Sequence, residues 1–188
     1  MKRLLPVLVP LLTVIGFACS PPPTPKPFGY LRIDPPEAGY IPIAETSLPF
    51  IFHISEAAEL YSCTDTGGSH SLNIIYPDYG ATFFCAFLND ADLLHKTEAD
   101  CRRLVALHTV ERFSEHAFSD PEAAVHATLF LLDGNSPTPI RFHLTDSVSR
   151  IFHGTLLYDA PPNADSLTPV TAFLTEDIIE LIQSFRWR

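Results

Sequence analysis

Asp65-Thr66-Gly67 is the triplet in this chain with the plainest link to chemistry. Aspartic proteases use such a triplet to hold paired carboxylates that share one proton, because two like charges so close cannot both ionise. That arrangement needs apolar residues before the Asp and a second copy of the loop, or a dimer. Here Cys63-Thr64 precede the triplet, Gly68 follows it, and Asp146-Ser147 runs into Val148 where a second motif needs glycine. A Gly-rich surface loop accounts for the triplet better than a protease does. Ser69-His70-Ser71 sets hydroxyls beside an imidazole, but catalytic partners are rarely sequence neighbours, and no Gly-x-Ser-x-Gly elbow is present. Gly67-Gly68 lacks the Lys-Ser/Thr that completes a phosphate-cradling loop.

Eight histidines raise the question of a metal. His95, His108 and His116 fall on one expected helix, and none is three or four residues from another, so no pair shares a face within one turn. His53, His126, His143 and His153 stand singly in expected strands, the usual setting of hydrogen-bonded structural imidazoles. No HExxH occurs. The sequence therefore specifies no metal, no cofactor and no catalytic constellation.

The cysteines are more informative. Lys2-Arg3, the apolar run from Leu4 to Phe17, and Gly16-Phe17-Ala18-Cys19 make a secretory signal peptide too short for a membrane span. Small residues just ahead of Cys19 look like a lipobox, although Gly16 stands where leucine is usual. An acylated Cys19 becomes the new first residue and holds the chain at a membrane, since each buried methylene contributes about 0.8 kcal/mol. Ser20 to Pro27 then carries five prolines, an extended, semi-rigid tether. The expected organisation is a signal peptide over 1–18, a lipidated Cys19 with tether over 19–27, and a single domain over 28–188. No acidic run adjoins Cys19, which favours a periplasm-facing domain. An oxidising envelope permits disulfides, and Cys63 with Cys85 is a candidate pair between a loop and a strand. Cys101 is expected as a buried thiol on the inward stripe of a helix. No CxxC occurs.

Charge excludes one class of partner. The chain has 12 basic and 22 acidic residues, and loss of Lys2 and Arg3 makes the remainder more acidic still. Phosphate backbones would repel it, so nucleic acid is not an expected partner.

The elements that position these residues follow from apolar periodicity. Leu48–Ile54, Ser71–Pro77, Ala81–Leu88, Ala123–Leu132, Ile140–Leu144 and Ile151–Tyr158 read as strands with turn residues between them. Ser62 to Ser71 reads as a polar loop. Asn89-Asp90 caps a long helix to about Phe118, with Leu94, Cys101, Leu104, Val105 and His108 inward. Asp165-Ser166 caps a second helix, with Pro169 in its first turn. Val170, Leu174, Ile178, Leu181 and Phe185 form its apolar stripe, and Glu176, Asp177 and Glu180 fall mostly off it. Strands and helices do not alternate, so the fold class is α+β: an antiparallel sheet covered by a long central helix and a C-terminal helix.

Short matches in a fixed order make the chain similar to one family. They begin at Pro25-Lys26-Pro27-Phe28-Gly29-Tyr30-Leu31-Arg32-Ile33-Asp34. They continue through Leu48-Pro49-Phe50, Asn73-Ile74-Ile75-Tyr76-Pro77 and His108-Thr109. The densest part includes Leu144-Thr145-Asp146-Ser147, Gly154-Thr155-Leu156-Leu157-Tyr158, Pro162 to Val170, Glu176-Asp177-Ile178 and Trp187. In these the chain resembles the gliding motility lipoprotein GldD family. The resemblance implies an envelope lipoprotein of the gliding machinery and its associated type IX secretion system, acting as an assembly or stabilising component and not as an enzyme. The implied partners are other proteins of that machinery and the membrane itself. The outline is also similar to PsbP/Mog1-like domains, an analogy of fold alone. Phe28, Tyr30 and Arg32 are candidate contact residues, because aromatics and Arg dominate binding hot spots. The same segment would serve equally as a first strand with Tyr30 on the core. The alternative function is a periplasmic ligand-binding lipoprotein.

Overall fold

The computed structural model describes residues 39–44, 47–64, 70–108, 112–159, 161 and 164–188. The described elements run β1 (Tyr40–Ile43), β2 (Phe50–Ser55), β3 (Glu59–Thr64), β4 (His70–Tyr76), β5 (Ala81–Asn89), α1 (Ala91–His108), β6 (Phe113–Asp120), β7 (Val125–Leu132), β8 (Ile140–Thr145), β9 (Arg150–Tyr158), α2 (Ala164–Ser184) and β10 (Arg186–Trp187). Seven strands form one antiparallel sheet in the order β3-β4-β5-β9-β8-β7-β6. A small sheet, β1-β2-β10, is antiparallel as well. The α+β class expected from the sequence is the one observed.

Alternation along the strands sets the layers. Leu72, Ile74 and Tyr76 of β4 lie on one face with Phe83, Cys85 and Phe87 of β5, and all are buried. Phe142 and Leu144 of β8 and Phe152 and Leu156 of β9 continue that face. It is covered by α2, through Val170, Leu174, Ile178, Leu181 and Ile182, and by β2, through Phe50, Phe52 and Ile54. At the centre Phe50 packs on Phe152 (centroids 4.9 Å apart) and on Phe185 (5.2 Å), and Phe185 meets Trp187 edge-on at 4.6 Å. The opposite face is covered only in part. There α1 rests on β5, β7, β8 and β9, with Leu94 and Val105 buried beneath it.

Three expectations are corrected. The long helix ends at His108, and Phe113–Asp120 is the edge strand β6 paired with β7. Apolar residues at Phe113, Ala117 and Phe118 also suit a helix, and pairing to a neighbouring strand overrides that local preference. The described ends of the expected loop at Ser62–Ser71 are strand, since β3 runs to Thr64 and β4 starts at His70. Its short polar side chains hide an edge strand. Finally, α2 starts at Ala164, so Asp165 and Ser166 lie inside it, as does Pro169. Proline so near the start forfeits a single intrahelical bond.

Candidate functional site

The second helix carries a polar row where an apolar one is expected. Asp177 is three residues after Leu174 and four before Leu181, which places it on the inward stripe, and it is only 3 % exposed. Tyr40 of β1 donates its hydroxyl to Asp177 Oδ1 at 3.0 Å. Oδ2 is buried without a hydrogen-bond partner. Burial pushes the Asp177 carboxyl up, offset in part by the hydroxyls of Tyr40, Tyr76 and Ser55. Burial and the same carboxylate push Tyr40 up to about 12. One turn on, Glu180 meets His53 Nδ1 at 3.1 Å, and the Ser184 hydroxyl accepts from the His53 backbone N–H at 2.9 Å. Asp177, Glu180 and Ser184 thus fasten the small sheet to α2. The apolar periodicity of the helix contained the signal: Asp177 interrupts a stripe it belongs to.

The β8–β9 turn is a second polar centre. Asp146 Oδ1 accepts from the backbone N–H groups of Val148, Ser149 and Arg150, each at 2.9 Å, and Oδ2 accepts from Arg150 Nε at 2.6 Å. Burial would raise this carboxyl, but the Arg150 side chain and those backbone donors outweigh it and hold it well below the usual carboxylate range. Arg150 then lies over the Trp187 ring at 4.8 Å. Asp146 is a turn-forming residue joined through Arg150 to the Trp187 cluster.

On the α1 side of the large sheet, register builds rows of side chains. Tyr61, Asn73, Phe84, Thr155 and Arg141 follow one another across β3, β4, β5, β9 and β8. Tyr61 is 57 % and Phe84 49 % exposed, and Leu157 two residues beyond Thr155 is 39 % exposed. This half of the sheet lies beyond α1 and presents an open aromatic and aliphatic face. In the neighbouring row His143 pairs with His153. Burial, Arg102 and His153 push His143 down to about 4, and its Nδ1 has no hydrogen-bond partner. Among the described residues, no three His, Cys, Asp or Glu side chains converge to hold a metal ion.

The residues singled out by sequence are distributed as follows. Cys19, Phe28, Tyr30, Arg32 and the Asp65–Ser69 stretch lie outside the described residues. The Cys63–Cys85 disulfide is not formed: Cys85 is a free, buried thiol. Strand β4 separates the two cysteine strands, and two strand spacings, about 9–10 Å, exceed the roughly 7 Å reach of a disulfide between Cα atoms. Burial pushes the Cys85 thiol far up. Cys101 is partly buried beneath α1, as its stripe predicts. Sequence reasoning missed the burial of Asp177, and it missed the His143–His153 pairing and the open sheet face, both of which depend on strand register.

These features define an antiparallel α+β domain with one sealed apolar face and one that is half open. Among the described residues no helix is long and apolar enough to cross a membrane. Residues 20–187 match the family model of the gliding motility lipoprotein GldD. The chain belongs to the gliding motility lipoprotein GldD family. No curated protein and no solved structure matches it, so the PsbP/Mog1-like outline gains no support from comparison.

Proposed function

We propose that the protein is an assembly or stabilising component of the gliding machinery and its associated type IX secretion system. In this reading Cys19 holds it by lipid on a periplasm-facing membrane surface. The observation that carries an interaction role is the open half of the sheet, where Tyr61 on β3, Phe84 on β5 and Leu157 on β9 stand exposed. Aromatic side chains supply much of the energy of protein interfaces, and exposing large apolar ones together has a solubility cost that a partner removes. Phe28, Tyr30 and Arg32, next to the tether, are proposed as a second contact. A short tether raises the effective concentration of the domain toward membrane-bound partners.

The experiment is complementation of a deletion strain, scored by surface spreading and by protein secretion. Deletion should abolish both, and the wild-type chain should restore both. The Cys19→Ala form should not restore them. A Tyr61→Ser/Phe84→Ser/Leu157→Ser form should melt close to the wild type, because these positions are exposed, and yet fail to complement. Normal spreading and secretion after deletion would refute the role, and full rescue by the triple variant would remove the open face from it.

A further inference from the structure

We propose that the cleft between the β7–β8 loop and the first half of α2 binds a primary alkylammonium group, its charge held by Asp133 and by the hydroxyl oxygens of Tyr158, Thr171 and Thr175. The cleft has a volume of about 220 Å³. A dry cavity of about 150 Å³ accommodates benzene, so there is room here for an aliphatic chain of about five carbons with its amine. Leu131, Pro139 and Leu167 supply an apolar wall for such a chain.

The direction of each hydrogen bond decides what the cleft can recognise. Thr175 gives its hydroxyl proton to the Thr171 carbonyl at 2.7 Å, and Thr171 gives its own to the Leu167 carbonyl at 2.9 Å. A carbonyl cannot donate in return, and a hydroxyl has one proton. Tyr158 Oη lies 2.7 Å from Thr171 Oγ1, so Tyr158 is the donor in that contact. Burial raises the Tyr158 hydroxyl, which keeps that proton in place. All three oxygens have thus committed their protons within the protein, and toward a ligand they can only accept. The Asp133 carboxylate is a further acceptor on the same cleft. Ser136 accepts the Thr138 backbone N–H at 3.2 Å and so can still donate, which suits an acceptor elsewhere on the ligand. A group that brings both a positive charge and several protons satisfies this set, and a primary ammonium brings three. An anion or a carbonyl oxygen would meet lone pairs instead. Charge agrees. Asp133 is the one charged residue among the described residues that line the cleft, and the chain has 22 acidic residues against 12 basic, a field that draws cations. The positive end of a helix repels a cation only over its first turn, and Thr171 and Thr175 lie about two and three turns into α2.

This inference stands apart from the motility role and is tested on the purified protein. The full chain is titrated with pentylamine, with Nα-acetyl-lysine amide, and with pentanol as a neutral control. Binding is read from the amide NMR signals of Gly134 and Thr175, which line the cleft. At least one amine should saturate, and the alcohol should bind at least about tenfold more weakly, since it lacks charge-assisted bonds. Saturation by the lysine derivative assigns a lysine side chain of a protein partner as the ligand, and saturation by pentylamine alone assigns a small free amine. Asp133→Asn, at an exposed position, should weaken amine binding about tenfold. Thr175→Val, which keeps the shape and removes the oxygen, should weaken it about threefold. Ala172→Phe, at an exposed position on the same cleft, should block it and abolish binding while circular dichroism shows an unchanged fold; it decides the matter even if the Thr175 variant fails to fold. Absence of saturation by both amines, equal binding of amine and alcohol, unchanged binding in Asp133→Asn, or retained binding in Ala172→Phe would each overturn the proposal.

Discussion

Gly154 sits in β9, opposite Phe142 of β8 on one side and Cys85 of β5 on the other. An ideal Cβ at this position would lie 2.5 Å from Phe142 Cζ, 2.6 Å from Phe142 Cε1 and 2.8 Å from Cys85 Sγ. Carbon atoms in good contact are about 3.5–4.0 Å apart, so the ring would have to retreat by about 1 Å. It has little freedom to do so. Phe142 is 1 % exposed, and its ring centroid is 6.2 Å from that of Phe83 and 5.9 Å from that of Phe152. Gly154→Ala should therefore cost about 2–3 kcal/mol, in the upper part of the range for overpacked cores. For a domain of this size that corresponds to a fall in Tm of about 4–12 °C. The second variant tests the cause. Phe142→Leu removes the ring end that clashes and on its own should cost about 1–3 kcal/mol through the space it leaves. Combined with Gly154→Ala, it should make room for the added methyl group, so the double variant should lose at least about 1 kcal/mol less than the sum of the two. The assay is urea unfolding followed by fluorescence of Trp187, the single tryptophan, which packs against Phe185 and Phe50. A Gly154→Ala protein within about 0.5 kcal/mol of the wild type, or a strictly additive cycle, would refute the steric reasoning.

Three further outcomes are expected. Trp187→Ala should cost about 3–5 kcal/mol in urea unfolding, read by circular dichroism, because it strips edge contacts from Phe50 and Phe185 and the cation–π partner from Arg150. Asp146→Asn should cost about 2 kcal/mol at neutral pH and little in strong acid. The folded Asp146 is held below its unfolded value, so its stabilisation is present above the ordinary carboxylate range and is lost as pH falls through the folded value. Asp177→Asn should act in the opposite sense. The folded Asp177 is raised, so its favourable protonated form stabilises at low pH, and that stability is lost as pH rises through the folded value. The variant should match the wild type in acid and exceed it at neutral pH, as read from urea midpoints across a pH series.

The fold was largely legible because its strands alternate strongly. Phe50, Phe52 and Ile54, or Phe83, Cys85 and Phe87, announce a buried face through period two alone, and α2 through its stripe from Val170 to Phe185. What was not legible lies at the edges. Among the described residues both β3 and β6 are edge strands of the large sheet, paired on one side only, so side chains need not be apolar and polar or helix-compatible sequences can occupy them. Site features were less legible than elements. Whether Phe84 meets Thr155, or His143 meets His153, is fixed by register between strands distant in sequence, which periodicity within one strand does not encode. Asp177 is the exception: its position on the stripe was readable, and charge argued against a buried place that the hydroxyls of Tyr40, Tyr76 and Ser55 make tolerable.

The two edges of β2 have a consequence for how the chain reaches its final state. One edge is taken by β1 and the other by β10. As the chain is made from its amino end, Phe50 and Phe52 emerge long before Phe185 and Trp187, which complete their packing. Through that interval the edge of β2 that β10 later takes stays uncovered. Emergence of the final strand then acts as a latch, and any chain halted before it would present β2 to lipid, to chaperones or to another halted copy.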